Sequence, residues 1–325
     1  MAEIKFLGAG SPMLDLLVNV DDAFIESIDG EKGGMVLVSP RELDTILSEA
    51  GADGVKTPGG SAANTIFGLT MLGVSTSILG KTGDDEEGKF YRSQYLAMGG
   101  DTSRFKLNAD VPTGRCLSLV TPDSERTMRT DLGAAATLSI DDVTPEDFKE
   151  VSYVHIEGYL LFNTPLAEHI LKLASDAGCV ISLDLASFEV VQASGENLKD
   201  FLAKYVDIVF ANEDEASAFC GTDDPEKCLD ILGGYCRTAA VKVGKKGSYI
   251  KSGNETVKVS ALLVDAVDTT GAGDLWASGF LYGFQNGKSL EKCGEYASIV
   301  SSEVVQVMGA AIPDEGWERI REKIG

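Results

Sequence analysis

Apolar and polar positions alternate along the chain with two different periods. Ile4–Leu7, Leu14–Val20, Met35–Val38 and Ser75–Leu79 are short apolar runs of strand length. The small-residue stretch Ala62–Leu72, entered through Pro58-Gly59-Gly60 and stopped by Gly73, predicts a helix. The amphipathic stretch Glu86–Met98, closed by Gly99-Gly100, predicts a second. Arg115–Val120 and Arg126–Thr130 flank the turn Thr121-Pro122-Asp123-Ser124 and predict a β-hairpin.

From about residue 150 the alternation becomes regular. Strands are expected at Tyr153–Ile156, Val180–Leu185, Ile208–Ala211 and Ala239–Val243, and helices at Pro165–Ala177, Asn197–Tyr205, Glu213–Phe219 and Pro225–Cys236. Gly247–Lys251 and Thr256–Val259 read as a hairpin. Further helices are expected near Asp274–Gln285, at Leu290–Met308 and after Pro313. Strands that alternate with helices of this length imply βαβ crossovers and a mostly parallel sheet covered on both faces. The expected architecture is α/β, one αβα domain over residues 1–325. The early strands near 11–40 and 111–130 are left over to form a small β lid.

Composition narrows the partners. The 325 residues carry 28 Lys+Arg against 51 Asp+Glu, a net charge of −23 at pH 7. Such a surface repels nucleic acid and anionic membranes, so neither is expected as a main partner. A small anion is not excluded, because backbone N–H groups can hold a phosphate inside an acidic protein. No apolar run approaches the roughly 20 residues of a membrane span, and the N-terminal stretch meets Gly8 and Gly10 too early for a signal peptide. The six cysteines contain no C-x-x-C pair. They read as reduced thiols of a cytoplasmic protein, and the spacing of eight among Cys220, Cys228 and Cys236 fits no common zinc pattern. The two histidines, His155 and His169, are too few for a His-based metal site and read as structural.

Two Gly-rich segments carry the candidate chemistry. Asp268-Thr269-Thr270-Gly271-Ala272-Gly273-Asp274 runs straight into a helical stretch. Unpaired N–H groups and the positive helix end make an anion site there, and glycines allow close approach. Asp274 has two readings. It is a general base that takes a hydroxyl proton during phosphoryl transfer, or it is a plain helix cap. Pro58-Gly59-Gly60-Ser61-Ala62-Ala63-Asn64 is either a second ligand loop, with Asn64 offering donor and acceptor, or a tight turn. Gly80-Lys81-Thr82 lacks the first glycine of a P-loop, since residue 75 is Ser. Gly8-Ala9-Gly10 lacks the third glycine of a dinucleotide fold, since residue 13 is Met. An NAD-dependent dehydrogenase is therefore disfavoured.

Taken together with Gly80–Gly88, which fits a G-x-x-G-x-D-x-x-G element, these loops make the chain resemble the ribokinase-like (PfkB) family of carbohydrate and nucleoside kinases, nearly end to end. The resemblance implies a ribokinase-like αβα sandwich with a small β lid, and transfer of the ATP γ-phosphoryl group to a primary hydroxyl. It implies Asp274 as catalytic base and Gly271, Ala272 and Gly273 as anion-hole donors. Asn212 and Glu215 resemble the family's N-x-x-E element, with Glu215 holding Mg²⁺ through water. Val243–Gly247 resembles its nucleotide-side turn, which places Lys242, Gly244 and Gly247 on the nucleotide, although Lys242 stands where Thr is usual. Ala297, Gly309 and Ala310 fit its C-terminal A…GA pattern beside the adenine. A monovalent-cation site, K⁺ being the candidate ion, is implied at Asp268 and Thr270.

Gly10-Ser11-Pro12-Met13-Leu14-Asp15 resembles the opening of the adenosine-kinase branch, in which Asp15 would hold sugar hydroxyls, with Ser11 standing in place of the usual Asn. Gly59, Gly60 and Asn64 complete the implied substrate set. Arg126, in Glu125-Arg126-Thr127, would reach the phosphates when the lid closes. Adenosine is the favoured acceptor, with fructose, ribose and other small sugars as alternatives. A non-catalytic sugar or nucleotide sensor on the same fold is the rival reading. A monomer or homodimer is expected.

Overall fold

In a computed structural model of the chain, residues 4–51, 54–123 and 125–325 are described. Residues 1–3 of the N-terminal stretch and Ser124 of the expected turn lie outside the described residues. An eight-stranded sheet forms the centre. Its order is Glu255–Val259, Ser248–Ser252, Thr238–Lys242, Ile208–Ala211, Val180–Asp184, Val151–Glu157, Ile4–Ala9 and Thr76–Leu79. The last six of these run parallel, and the hairpin 248–259 adds two antiparallel strands at one edge. Phe210, Val209 and Leu183 are fully buried, as expected for strands covered on both faces.

A second sheet of five strands has the order Met35–Leu37, Arg126–Gly133, Thr113–Val120, Met13–Asn19 and Val55–Gly59. One of its faces packs Leu16, Val18, Leu117 and Leu119 against Ile25 and Leu43 of two helices, Asp22–Ser27 and Pro40–Glu49. The chain's hydrophobic pattern does not signal these helices. The second, however, opens on a capping box that is legible in the sequence: Ser39 and Glu42 bond each other's backbone N–H groups. The segment Val55–Gly59 is a strand where a loop was expected. Pro58 is tolerated because this strand lies at the sheet edge.

Three helix boundaries differ from expectation. Phe188–Tyr205 is nine residues longer at its start than the periodicity suggested, and it contains a break at Gly195, whose φ is 49°. Pro225–Leu232 stops at Gly233, and Leu290–Val304 stops four residues before Met308. The residues beyond Val304 turn back so that Gly309 N–H reaches Asp268. All six cysteines are free thiols. His155 is buried and shares a 2.9 Å hydrogen bond with Ser182 Oγ, while His169 Nε2 meets the carbonyl of Val143. Among the described residues no helix is long and apolar enough to cross a membrane.

The helix Ala272–Gln285 matters most for chemistry, because Asp274 lies in its first turn. It is clamped between Ser61–Met71 and Leu290–Val304 through glycines. A Cβ at Gly68 would stand 2.4 Å from Ser278 Oγ, and one at Gly279 would stand 2.6 Å from the carbonyl oxygen of Tyr296. Gly279→Ala should therefore cost about 1–3 kcal/mol, the range for overpacking a close contact, and lower the thermal midpoint by several degrees. A midpoint equal to the parent's would contradict this account of the packing.

Candidate active site

The carboxyl ends of the parallel strands converge on one cavity of about 1110 Å³, bounded on the far side by the second sheet. Clefts at such strand ends are where open α/β sheets bind ligands. Ser11 lies just past the strand Ile4–Ala9, and Glu157, Asp184 and Lys242 end their own strands. Asn212 comes directly after Ile208–Ala211. Each of them lines the cavity.

Asp274 lines the same cavity. Its Oδ1 accepts from Ser61 Oγ at 2.8 Å and its Oδ2 from Asn64 Nδ2 at 2.9 Å. Thr65 Oγ1 donates to its backbone carbonyl at 3.0 Å. The loop 59–64 thus positions this carboxylate from outside its own helix. Burial pushes Asp274 up to about 6 and the nearby Asp184 carboxylate adds to that; the Asn64 and Ser61 bonds pull the other way.

Around it lies the anion loop. Gly271 caps the helix with φ 70°, and Ala310 packs beneath it so closely that a Cβ at 271 would stand 2.6 Å from the Ala310 methyl. Among the described residues, the N–H groups of Gly271, Gly273 and Asp274 meet no acceptor, whereas Ala272 N–H already bonds the carbonyl of Thr269 at 3.2 Å. Of the expected donors Gly271, Ala272 and Gly273, the N–H groups of Gly271 and Gly273 are thus without an acceptor among the described residues, as is that of Asp274, and that of Ala272 is bonded within the loop. Asp268 holds the loop's shape. Its Oδ1 accepts from Thr270 N–H and Oγ1, and its Oδ2 from Gly309 N–H at 2.7 Å. Those bonds give Asp268 and Thr270 a structural task in this loop.

Glu157 is not singled out by the sequence, yet it joins the segment after the first strand to the loop 59–64. Its buried carboxylate accepts from Ser11 N–H at 2.8 Å and from Ala62 N–H at 3.1 Å. It thereby caps the helix Ser61–Met71, whose own cap residue, Gly60, has no side chain. Gly10 is required beside it, because a Cβ there would fall 2.2 Å from Glu157 Oε2. Gly60 is required as well: its φ is 106°, and a Cβ would fall 2.4 Å from the carbonyl of Ser11.

Asp15, on the strand Met13–Asn19 of the second sheet, lines the cavity, and among the described residues no donor bonds it. Burial raises its carboxyl to about 7; Arg126 draws it down, and Asp274 and Asp268 push it up. Gly59 does not line the cavity. It makes room for Asp15, whose carboxylate lies 2.3 Å from where a Cβ of residue 59 would stand. Ala310 is likewise a support beneath Gly271 and not a wall. Arg126 reaches across from the second sheet to Thr270 Oγ1 at 2.9 Å, which links that sheet to the loop 268–274.

The residues expected on the nucleotide side, Asn212, Glu215, Lys242, Gly244 and Gly247, also line the cavity. Asn212 and Glu215 form a capping box, with Asn212 N–H and Nδ2 on the two Glu215 oxygens at 2.8 and 2.6 Å. Burial, then the Asp184 charge, raises Glu215 to about 7. The nearby Lys242 charge pulls the other way. Lys242 bonds Asp184 at 2.9 Å. Gly244 and Gly247 carry the turn at positive φ, and Gly247 packs against the Val259 carbonyl.

Residues 36–316 match the model of the pfkB family carbohydrate kinase. The structure superposes on the adenosine kinase of Sinorhizobium meliloti with a TM-score of 0.90 and 32% identity, over 99% of this chain and 100% of that one. A probable sugar kinase of Rhizobium etli gives 0.91 and 31%, over 99% of each chain. The nucleoside kinase of Methanothermobacter thermautotrophicus is 32% identical over 79% of this chain and 82% of its own.

The raised Asp274 carboxyl carries a stability consequence. In the folded protein it binds a proton up to about pH 6; unfolded, it releases that proton near its ordinary 3.8. Folding stability therefore falls as pH rises from about 4 to about 6 and stays lowered above that. Asp274→Asn should be more stable than the parent at pH 7.5, by about 1–2 kcal/mol after a discount for partial exposure, with the difference vanishing near pH 4. Equal thermal midpoints at both pH values would show that Asp274 is not desolvated.

Proposed function

Since this chain belongs to the pfkB family of carbohydrate kinases, we propose that it transfers the γ-phosphoryl group of ATP to a primary hydroxyl of a nucleoside, with adenosine the favoured acceptor. The observation that carries this reading is the arrangement of two carboxylates facing one cavity. Asp274 stands among unpaired N–H donors, and Asp15 stands free beside apolar walls from Met35, Leu37, Met128, Leu132 and Phe162. A carboxylate inside an anion loop has a chemical task as a base, and free carboxylate oxygens suit a vicinal diol. Apolar walls beside the diol site suit a flat base more than a bare sugar. The similarity to proteins named adenosine kinase and nucleoside kinase supports the same choice.

In this mechanism Asp274 takes the hydroxyl proton as the oxygen attacks the γ-phosphorus, and the loop N–H groups receive the charge that develops on the phosphoryl oxygens. Arg126 closes the second sheet over the phosphates. Gly244 and Gly247 shape the nucleotide side. Mg²⁺, held through water near Asn212 and Glu215, would neutralise phosphate charge. Glu157 holds Ser11 and the loop 59–64 in register and touches no substrate.

An ADP-release assay over a panel of nucleosides and sugars tests the reading. Adenosine should give the highest kcat/KM, and Asp274→Asn should lower kcat by roughly 10²–10⁴-fold. Best turnover with a free sugar such as fructose or ribose would replace the acceptor, and ATP binding with no turnover of any compound would leave a sensor.

Asp15→Ala should raise the acceptor KM about ten- to a hundredfold, as expected for losing a charged hydrogen bond of roughly 1.5–3 kcal/mol, and leave the ATP KM near the parent's. In that variant the acceptor lacking the bonded hydroxyls should suffer little further loss. A deoxy penalty that survives intact would remove Asp15 from the diol.

A further inference from the structure

Lys242 is the group whose position exceeds its structural task. It ends the strand Thr238–Lys242, and its partner Asp184 ends a strand two places away across Ile208–Ala211. Both side chains are largely withdrawn from solvent, at 14% and 7% exposure. Replacing such a buried pair with apolar side chains is often neutral or stabilising, so packing alone does not require it. The ammonium uses one of its three donors on Asp184 at 2.9 Å. It lies over the anion loop: a Cβ on Gly273 would stand 3.1 Å from Lys242 Nζ. The group therefore borders the same space as the unpaired N–H of Gly273.

The surroundings make that cation significant. Asp15, Asp184, Glu215, Asp274 and Glu157 all line the cavity, and the only other cations lining it among the described residues are Arg126 and Lys245. Arg126 comes from the second sheet, and Lys245 is exposed. A triphosphate entering this acidic cavity needs positive charge fixed in the floor beside the transferring group, and Lys242 is the side chain already there.

We propose that Lys242 is a catalytic residue whose ammonium donates to an oxygen of the transferring γ-phosphoryl group, and that Asp184 is the positioning residue that aims it. The proposal rests on the kinase reading. In the step, the bond from acceptor oxygen to γ-phosphorus forms and the bond from γ-phosphorus to the β,γ-bridging oxygen breaks. Asp274 receives the proton, and ADP carries away the electron pair. Lys242 keeps its protons throughout and lowers the barrier by meeting the phosphoryl charge. Asp184 touches no substrate.

The test compares Lys242→Met, Lys242→Arg, Asp184→Asn and the double variant Asp184→Asn/Lys242→Met with the parent, by steady-state kinetics and by calorimetric titration with ATP and with AMP. Lys242→Met should lower kcat roughly 10²–10³-fold, the loss typical of removing one fixed donor from a developing charge. Its acceptor KM should stay within a few-fold, and it should weaken ATP binding while leaving AMP binding unchanged. Lys242→Arg should recover part of kcat. Asp184→Asn should lower kcat less, and should lower it no further when Lys242 is already Met, because it acts only through Lys242. If Lys242→Met does not fold, the charge-balanced double variant supplies the same reading. Turnover and ATP-over-AMP preference equal to the parent's in a folded variant lacking Lys242 would overturn the proposal. Independent losses from the two substitutions would overturn the role of Asp184. The ATP-against-AMP titration needs no turnover, so a parent that binds ATP and phosphorylates nothing defeats the kinase reading and leaves the Lys242 contact standing or falling on its own.

Discussion

An acidic side chain held among unpaired backbone N–H groups at a helix start is the constraint on which the rest of the structure depends. A helix start with unpaired N–H groups attracts a phosphate, and a carboxylate in the same turn repels it. The protein keeps Asp274 there by bonding both of its oxygens from another segment, Ser61 and Asn64. Those donors must arrive at fixed angles, so the loop 59–64 cannot move independently of the helix Ala272–Gln285. Glu157 then ties that loop to Ser11, just past the first strand. Glycines at 10, 59, 60 and 271 are consequences, since each leaves room that a side chain would fill.

The central sheet explains how so many like charges are brought together. Parallel strands end on one side, and residues at their carboxyl ends face one another without being neighbours in sequence. Here those ends carry Glu157, Asp184 and Lys242, with Asn212 one residue beyond its strand. Burial raises Asp274, Asp15 and Glu215 to between about 6 and 7, so these carboxyls sit close to partial protonation at neutral pH. Lys242 holds Asp184 below the ordinary carboxylate range despite the burial that opposes it. Cations arriving with a nucleotide would shift the same balance toward the ionised carboxylates that base chemistry needs.

The two Gly-rich loops and the strand–helix alternation after residue 150 were legible because they are local: period, caps and punctuation all lie within a few residues. The strand Val55–Gly59 was hidden by Pro58 and Gly59, which read as a loop until the sheet edge is known. The break at Gly195 hid the first half of its helix. Glu157 and Asp184 are single acids at the ends of apolar runs, and they gain meaning only once the strands are aligned. The pairing of Lys242 with Asp184 spans 58 residues and results from strand order, which no local pattern encodes. The bond from Ala272 N–H back to Thr269 is a detail of loop geometry and not of composition, so no sequence pattern announces it.

The most direct test of the central claim is a crystal structure of the protein with a non-hydrolysable ATP analogue and adenosine bound together. The account predicts an acceptor hydroxyl within hydrogen-bond reach of an Asp274 carboxylate oxygen, about 2.6–3.2 Å, in line with the γ-phosphorus, and γ-phosphoryl oxygens on the N–H groups of Gly271 and Gly273. An acceptor hydroxyl well outside that reach, with Asp274 still bonded only to Ser61 and Asn64 and the phosphates bound away from residues 271–274, would contradict it.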